Sequence, residues 1–149
     1  MRAVVQRVLH AQVQVDGAVV AQIGAGLLVL LSVGGDDDDG DVAAMADKLT
    51  GLRIFGDEHG KMNCNVRQVA GALLVVSQFT LHGDARRGKR PSFTAAMEPI
   101  QAALMVERVA QALRSAGLAV QQGQFGADMQ VSLCNDGPVT ILLDTKKLF

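Results

Sequence analysis

Two uncharged runs, LLVLLSV at 27–33 and GALLVVSQFTL at 71–81, constrain the fold more than anything else in the chain. Each reads as a strand buried along its length. The remaining segments must supply the cover. Residues 2–9 alternate like a strand, and QVQVDGAVVAQI places valines in alternation around Asp16-Gly17, a two-residue hairpin signal. Gly24-Ala25-Gly26 marks the next turn, and 57–60 a turn before KMNCNV. Helical periods run over 39–51, with Val42, Met45, Ala46 and Leu49 on one face, and again after Pro99, with Ala102, Met105, Val106, Val109 and Leu113. Aspartates cap the first helix, Pro99 suits the N1 position of the second, and Gly117 closes it. LAVQQGQF, DMQVSLCN and 139–144 read as further strands, with Asn135-Asp136-Gly137-Pro138 as a turn between the last two.

The expected class is therefore α+β: a curved, mixed but mainly antiparallel, barrel-like sheet with two helices packed on it. With no linker and no repeat, residues 1–149 are expected to form one domain. Hydrophobic residues make up 49% of the chain, which excludes a disordered segment. No apolar run approaches the roughly 20 residues of a membrane helix, and the N-terminal stretch has no signal-peptide core. A cytoplasmic protein without membrane contact is expected. Cys64 and Cys134 lack the spacing of a zinc site and read as reduced, buried thiols.

The net charge of −1 argues against a general nucleic-acid coat. It hides a segregation. Asp36, Asp37, Asp38, Asp39 and Asp41 hold five of the fifteen acids, and without them fourteen bases face ten acids. Arg86, Arg87, Lys89 and Arg90 fall within five residues. Such a cluster can grip phosphates, or simply be a solvated loop.

The usual catalytic sets are thin. His10, His59 and His82 lie in unrelated contexts, with no HExxH among them, and no GxSxG, GxGxxG or P-loop spacing occurs. Asp128 and Asp136 read as turn or capping residues. Two places stand out instead. Ser77-Gln78-Phe79-Thr80-Leu81 ends a buried strand in hydroxyls, an amide and a ring, which could line a pocket or be satisfied by backbone. Thr80 is the one plausible alcohol nucleophile, but no base neighbours it in sequence. Gly137-Pro138 offers backbone carbonyls, little bulk and a bond that adopts cis at a cost of only about 0.5–1 kcal/mol. It could also be an ordinary turn.

These two stretches, SQFTL and NDGPVT, resemble the paired signature motifs of the D-aminoacyl-tRNA deacylases. The resemblance runs on through VQRV at 5–8, IGAGLLVLL at 23–31, RIF at 53–55, GKMN at 60–63, RPSF at 90–93 and ADMQVSL at 127–133, nearly the whole chain. It implies an enzyme that hydrolyses the ester between a D-amino acid, or glycine mischarged on tRNA-Ala, and the 3′-terminal adenosine of tRNA. It implies a homodimer in which a cis Gly137-Pro138 enters the partner's active site as a chiral gate, meets the substrate's amino group and excludes an L side chain. A rigid wall rejects the wrong enantiomer by clash rather than by weaker contact.

Residue by residue, the resemblance gives Ser77, Gln78, Phe79 and Thr80 to the catalytic pocket and Gly137 and Pro138 to the gate. Phe79 bounds the adenosine site, Arg7 braces the gate loop through a main-chain carbonyl, and Phe125 and Met129 form pocket walls. Backbone N–H groups near Phe79 and Thr80 supply an oxyanion hole. Attack by water is assisted by the ribose 2′-hydroxyl, with no metal and no cofactor. Arg86, Arg87, Lys89 and Arg90 are candidates for the acceptor-stem phosphates. Other readings stay open on the residues alone: a non-catalytic RNA-binding module, a hydrolase of small esters with Thr80 as nucleophile, or a sister family with a trans Gly-Pro acting on L-alanine.

Overall fold

A computed structural model describes all residues 1–149. Its spine is β1 (Arg2–Val15), a strand of 14 residues. The two-residue turn at Asp16 (φ 50°) and Gly17 (φ 79°) folds β2 (Ala18–Ile23) back onto its second half. Positive φ at both positions is what a twisted hairpin asks of a two-residue loop. The first half of β1 pairs antiparallel with β3 (Gly26–Ser32). β6 (Ala72–Ser77) lies parallel to β3, and β7 (Ala119–Gln122) parallel to β6. β8 (Gln130–Asp144) runs along the opposite side of β1, from Arg2↔Asp144 to Gln14↔Gln130. A short hairpin, β4 (Phe55–Gly56) and β5 (Met62–Cys64), stands apart from this sheet. The result is a curved, nearly closed, barrel-like mixed sheet with two helices.

The helices span both parallel crossovers, as parallel strands require. α1 (Asp39–Gly51) starts at a capping box in which Asp38 accepts from Gly40 and Asp41 N–H groups, and Asp41 accepts from the Asp38 N–H. α2 (Pro99–Ser115) carries Pro99 in its first turn, and Glu98 accepts from the Ile100 and Gln101 N–H groups. The faces read from the sequence are the buried ones: Val42, Met45, Ala46 and Leu49 in α1, and Met105, Val106, Val109 and Leu113 in α2. They cover Leu27, Val29, Leu31, Leu73 and Val75 on one side of the sheet. The alternate residues, Leu28, Leu74 and Val76, face the barrel interior with Val8, Ala11, Val13, Ala21 and Ile23. That two-sided burial is why β3 and β6 show no polar alternation.

Three expectations change. The strand expected over 71–81 ends at Ser77, and Phe79–His82 form a single 3-10 turn. The two strands expected around Gly137-Pro138 are one strand, β8, because both halves pair with β1 in the same direction. Cys64 and Cys134 are free but only half-buried. No helix is long and apolar enough to cross a membrane.

Candidate active site

β6 delivers its last residue, Ser77, to the end of the sheet. The Gln78 N–H still bonds the Leu31 carbonyl of β3 at 2.8 Å, and the chain then leaves the strand at φ −146°, ψ 73°. Phe79–His82 coil into the 3-10 turn, closed by Leu81 N–H to the Gln78 carbonyl (3.1 Å) and Gly83 N–H to the Thr80 carbonyl (2.9 Å). The N–H groups of Phe79 and Thr80 thus head the turn, ahead of its first internal bond. The first N–H groups of any helical turn lack an acceptor within it.

Phe79 is 58% exposed, a large ring left at the surface. Phe93 of RPSF meets it edge-on, with centroids 5.1 Å apart and planes at 72°, and so fixes its tilt. The Gln78 amide donates to the Thr80 hydroxyl. Beside these groups opens a cleft of about 620 Å³. Ser77, Gln78 and Phe79 line it at the strand end, Phe125 and Met129 on one side, Phe93, Met97 and Val106 on another. Met129 packs there because Gly123 has no side chain: a Cβ at that position would stand 2.8 Å from the Met129 sulfur. The lining is mostly apolar with a few polar groups at one end, the usual composition of a small-ligand site.

Gly137 and Pro138 are not part of this cleft. They form an exposed bulge on β8, where the pairing steps from Gln6↔Thr140 to Val8↔Asn135 and leaves Asp136–Val139 opposite the single residue Arg7. The Gly137-Pro138 bond is cis, and Gly137 has φ +136°. Asn135 closes the bulge on itself: its Oδ1 accepts from the Val139 N–H (2.7 Å), and its Nδ2 donates to the Val139 carbonyl and the Thr140 hydroxyl (both 3.1 Å). Arg7 fastens it from below. Its Nε donates to the Asp136 carbonyl (3.0 Å) and lies 3.1 Å from the Asp136 carboxylate, while Nη1 donates to the Ile54 carbonyl (2.6 Å).

Of the residues singled out in the sequence, Ser77, Gln78, Phe79, Phe125 and Met129 therefore meet around one cleft, with Thr80 held beside it through Gln78. Arg7, Gly137 and Pro138 form a second cluster. Arg86, Arg87, Lys89 and Arg90 sit on an exposed loop. Arg86 forks onto Asp84 at 2.6 and 2.9 Å, which holds the Asp84 carboxyl below its ordinary range. Arg87, Lys89 and Arg90 have no side-chain partner and leave their charge to solvent. The sequence reading missed Met97 and Val106 as cleft walls, and it missed Ser32 and His82, which lie directly behind the turn. The one available signal was Ser32 itself, the sole polar side chain in a run of buried strand residues.

The sequence model of the D-Tyr-tRNA(Tyr) deacylase family matches residues 4–144. A D-aminoacyl-tRNA deacylase of Anaeromyxobacter dehalogenans is 60% identical, over all of this chain and all of its own. A solved structure named c-Myc DNA unwinding element binding protein superposes with a TM-score of 0.92 at 40% identity, covering 97% of this chain and 99% of its own. Another, described as a probable eukaryotic D-amino acid tRNA deacylase, superposes at 0.83 with 17% identity, over 95% of this chain and 97% of its own, and shares the fold.

Proposed function

The chain belongs to the D-Tyr-tRNA(Tyr) deacylase family and is a hydrolase of D-aminoacyl-tRNA, and on that premise we propose how its residues divide the work. The observation that carries the proposal is the separation of two built parts: an apolar cleft ending at Ser77–Thr80, and a rigid, outward-facing Gly137-Pro138 bulge. The cleft receives the 3′-aminoacyl end of the tRNA, with the terminal base against the exposed face of Phe79 and the walls at Phe125 and Met129. The bulge serves as the chiral gate. Its carbonyls meet the substrate's α-amino group and leave no room for an L side chain.

The gate belongs to a second copy of the chain. In one protomer the bulge lies outside the cleft, so a homodimer that exchanges bulges completes both sites. Glycine carries no side chain to clash with the gate, so glycyl-tRNA, including glycine mischarged on tRNA-Ala, is hydrolysed as well. The cytoplasm, where aminoacyl-tRNA is made and used, is the proposed setting.

Water adds to the ester carbonyl, and the oxyanion of the tetrahedral intermediate meets the N–H groups at the head of the turn, Phe79 and Thr80. Collapse breaks the bond to the ribose 3′-oxygen, which takes up the proton, with the neighbouring 2′-hydroxyl relaying it. Thr80, already occupied by the Gln78 amide, positions rather than attacks. Arg87, Lys89 and Arg90, with Arg86 partly neutralised by Asp84, hold acceptor-stem phosphates.

The test is hydrolysis of matched D-tyrosyl-, L-tyrosyl- and glycyl-tRNA in the presence of EDTA, by the wild type and by Thr80→Ala. The expected result is loss of the D and glycyl esters with the L ester spared, and substantial turnover by Thr80→Ala. Loss of nearly all activity in that variant, with its fold intact, would reinstate Thr80 as nucleophile. Turnover of the L ester at the D rate would remove the gate.

A further inference from the structure

Three side chains hold the Phe79–His82 turn from its buried side, and Ser32 among them also borders the cleft. Ser32, the last residue of β3, is 1% exposed. Its hydroxyl lies 2.6 Å from Nδ1 of the buried His82 and 3.3 Å from the Phe79 carbonyl. The turn's last side chain therefore folds back under its first carbonyl through one serine. The other edge of the ring is packed as tightly, since a Cβ on Gly34 would stand 3.0 Å from Nε2. Arg2 supplies the third hold. Its Nη1 donates to the Leu81 carbonyl at 3.0 Å, its Nε bonds Asp144 at 3.1 Å, and Phe149 lies under its guanidinium. Two of the turn's four carbonyls are thus held by side chains from distant elements, which satisfies these acceptors and also fixes where the turn stands.

We propose that Ser32, His82 and Arg2 are positioning residues for deacylation, fixing the turn so that its leading N–H groups and the Phe79 ring stand where the reacting ester needs them. This rests on the reading of the turn as the receiver of the ester. It adds that the rate depends on a buried Ser–His pair that acts through the turn. A turn released by even a fraction of an ångström keeps its substrate contacts but loses alignment with the transition state, and so lowers kcat more than it raises KM.

The charge state of the ring belongs to the same device. Burial, and then the positive charge of Arg2, keep His82 below its ordinary value, with the Met1 ammonium adding to this and Asp37 and Asp144 opposing it. At neutral pH the ring is uncharged. On acidification it gains a proton beside Arg2 and pushes on the arginine that holds Leu81.

The experiment measures kcat and KM for D-tyrosyl-tRNA in Ser32→Ala, His82→Leu and His82→Asn, the last of which offers an amide near the position of Nδ1. The expected result is a fall in kcat of about tenfold or more in the first two, with KM within about twofold, and recovery in His82→Asn. The wild-type kcat is expected to fall on acidification, at a pH below the ordinary imidazole range, and more steeply than that of His82→Asn. Wild-type kcat in both Ser32→Ala and His82→Leu overturns the inference, as does a wild-type profile no steeper than that of His82→Asn. Should either substituted protein fail to fold, the other and the wild-type profile decide. Phe79→Ala separates the two layers. Unchanged activity there overturns the reading of the turn itself, whereas a loss there with Ser32→Ala and His82→Leu both unaffected overturns only the positioning role.

Discussion

Gly137 shows most directly how one residue type decides a site. At φ +136° a side chain is strained, and a Cβ built there would stand 2.7 Å from Val139 Cγ2 and 3.1 Å from Arg7 Nη2. Neither neighbour can yield freely. The Val139 N–H is held by Asn135 and the Arg7 guanidinium by Asp136 and Ile54. Gly137→Ala therefore moves the bulge rather than its surroundings. Overpacking of this kind costs about 1–3 kcal/mol, which at this chain length lowers the thermal midpoint by several degrees. The larger expected effect is on chemistry: the rate on D-tyrosyl-tRNA drops by about tenfold or more and the preference over the L ester narrows. Parallel thermal melts and D/L rate ratios check this, and an unchanged ratio in a shifted protein would dissociate the bulge from stereoselectivity. Arg7 was legible only through the resemblance of its motif, whereas Gly137 stood out by its Gly-Pro step and took its expected role from the resemblance. Ser32 and His82 were not legible as a pair, because fifty residues separate them and only Ser32, a lone polar side chain in a buried run, looks out of place where it stands.

Among the elements, periodicity was a good guide wherever one face is buried and the ends carry caps. The hairpin at Asp16-Gly17, α1 and α2 all follow from local chemistry. It failed where pairing, not pattern, sets the structure. Nothing local tells that the two halves of β8 share one partner strand, so Gly137-Pro138 read as a turn. Likewise the uncharged run through Leu81 hid the point where β6 stops, which is fixed by the end of its ladder with β3 at Leu31↔Ser77.

The cap of α1 carries a prediction of its own. Burial alone would raise the Asp41 carboxyl, but hydrogen bonds from Lys146 (2.7 Å), Thr145 and the Asp38 N–H hold it well below its ordinary value of 3.8. A carboxyl lowered on folding contributes stability that is complete above that ordinary value and is lost as pH falls below it toward the folded-state value. In Asp41→Asn the thermal midpoint is expected to be lower at pH 7 and to fall less between pH 5 and 2 than in the wild type. Parallel acid melts with equal slopes would show that this carboxylate does not govern the helix terminus.

For the whole molecule, the sheet is left with unpaired edges at β2, β7 and β8, and that of β8 is the longest, with no partner strand over 15 residues. A free edge of that length is a site for association unless it is protected. Leu142 on that strand and Leu9 on β1 are both more than half exposed. The bulge also projects outward, with Gly137 and Pro138 exposed. These features agree with a dimer whose two active sites each combine one protomer's cleft with its partner's bulge, a closed twofold arrangement. Such sharing has a quantitative signature. A Gly137→Ala protomer has an intact cleft and a damaged gate, and a Ser77→Trp protomer an intact gate and a filled cleft. Each homodimer alone is expected to keep about a tenth of wild-type activity or less. After dissociation and equal remixing, random pairing makes half the dimers mixed, and each mixed dimer has one site with both parts intact, so about a quarter of wild-type activity returns. If gate and cleft of the same chain formed the site, mixing would restore nothing. Native mass spectrometry of the same samples resolves the mixed dimer from both homodimers, so a missing quarter with mixed dimers present would assign each site to a single chain.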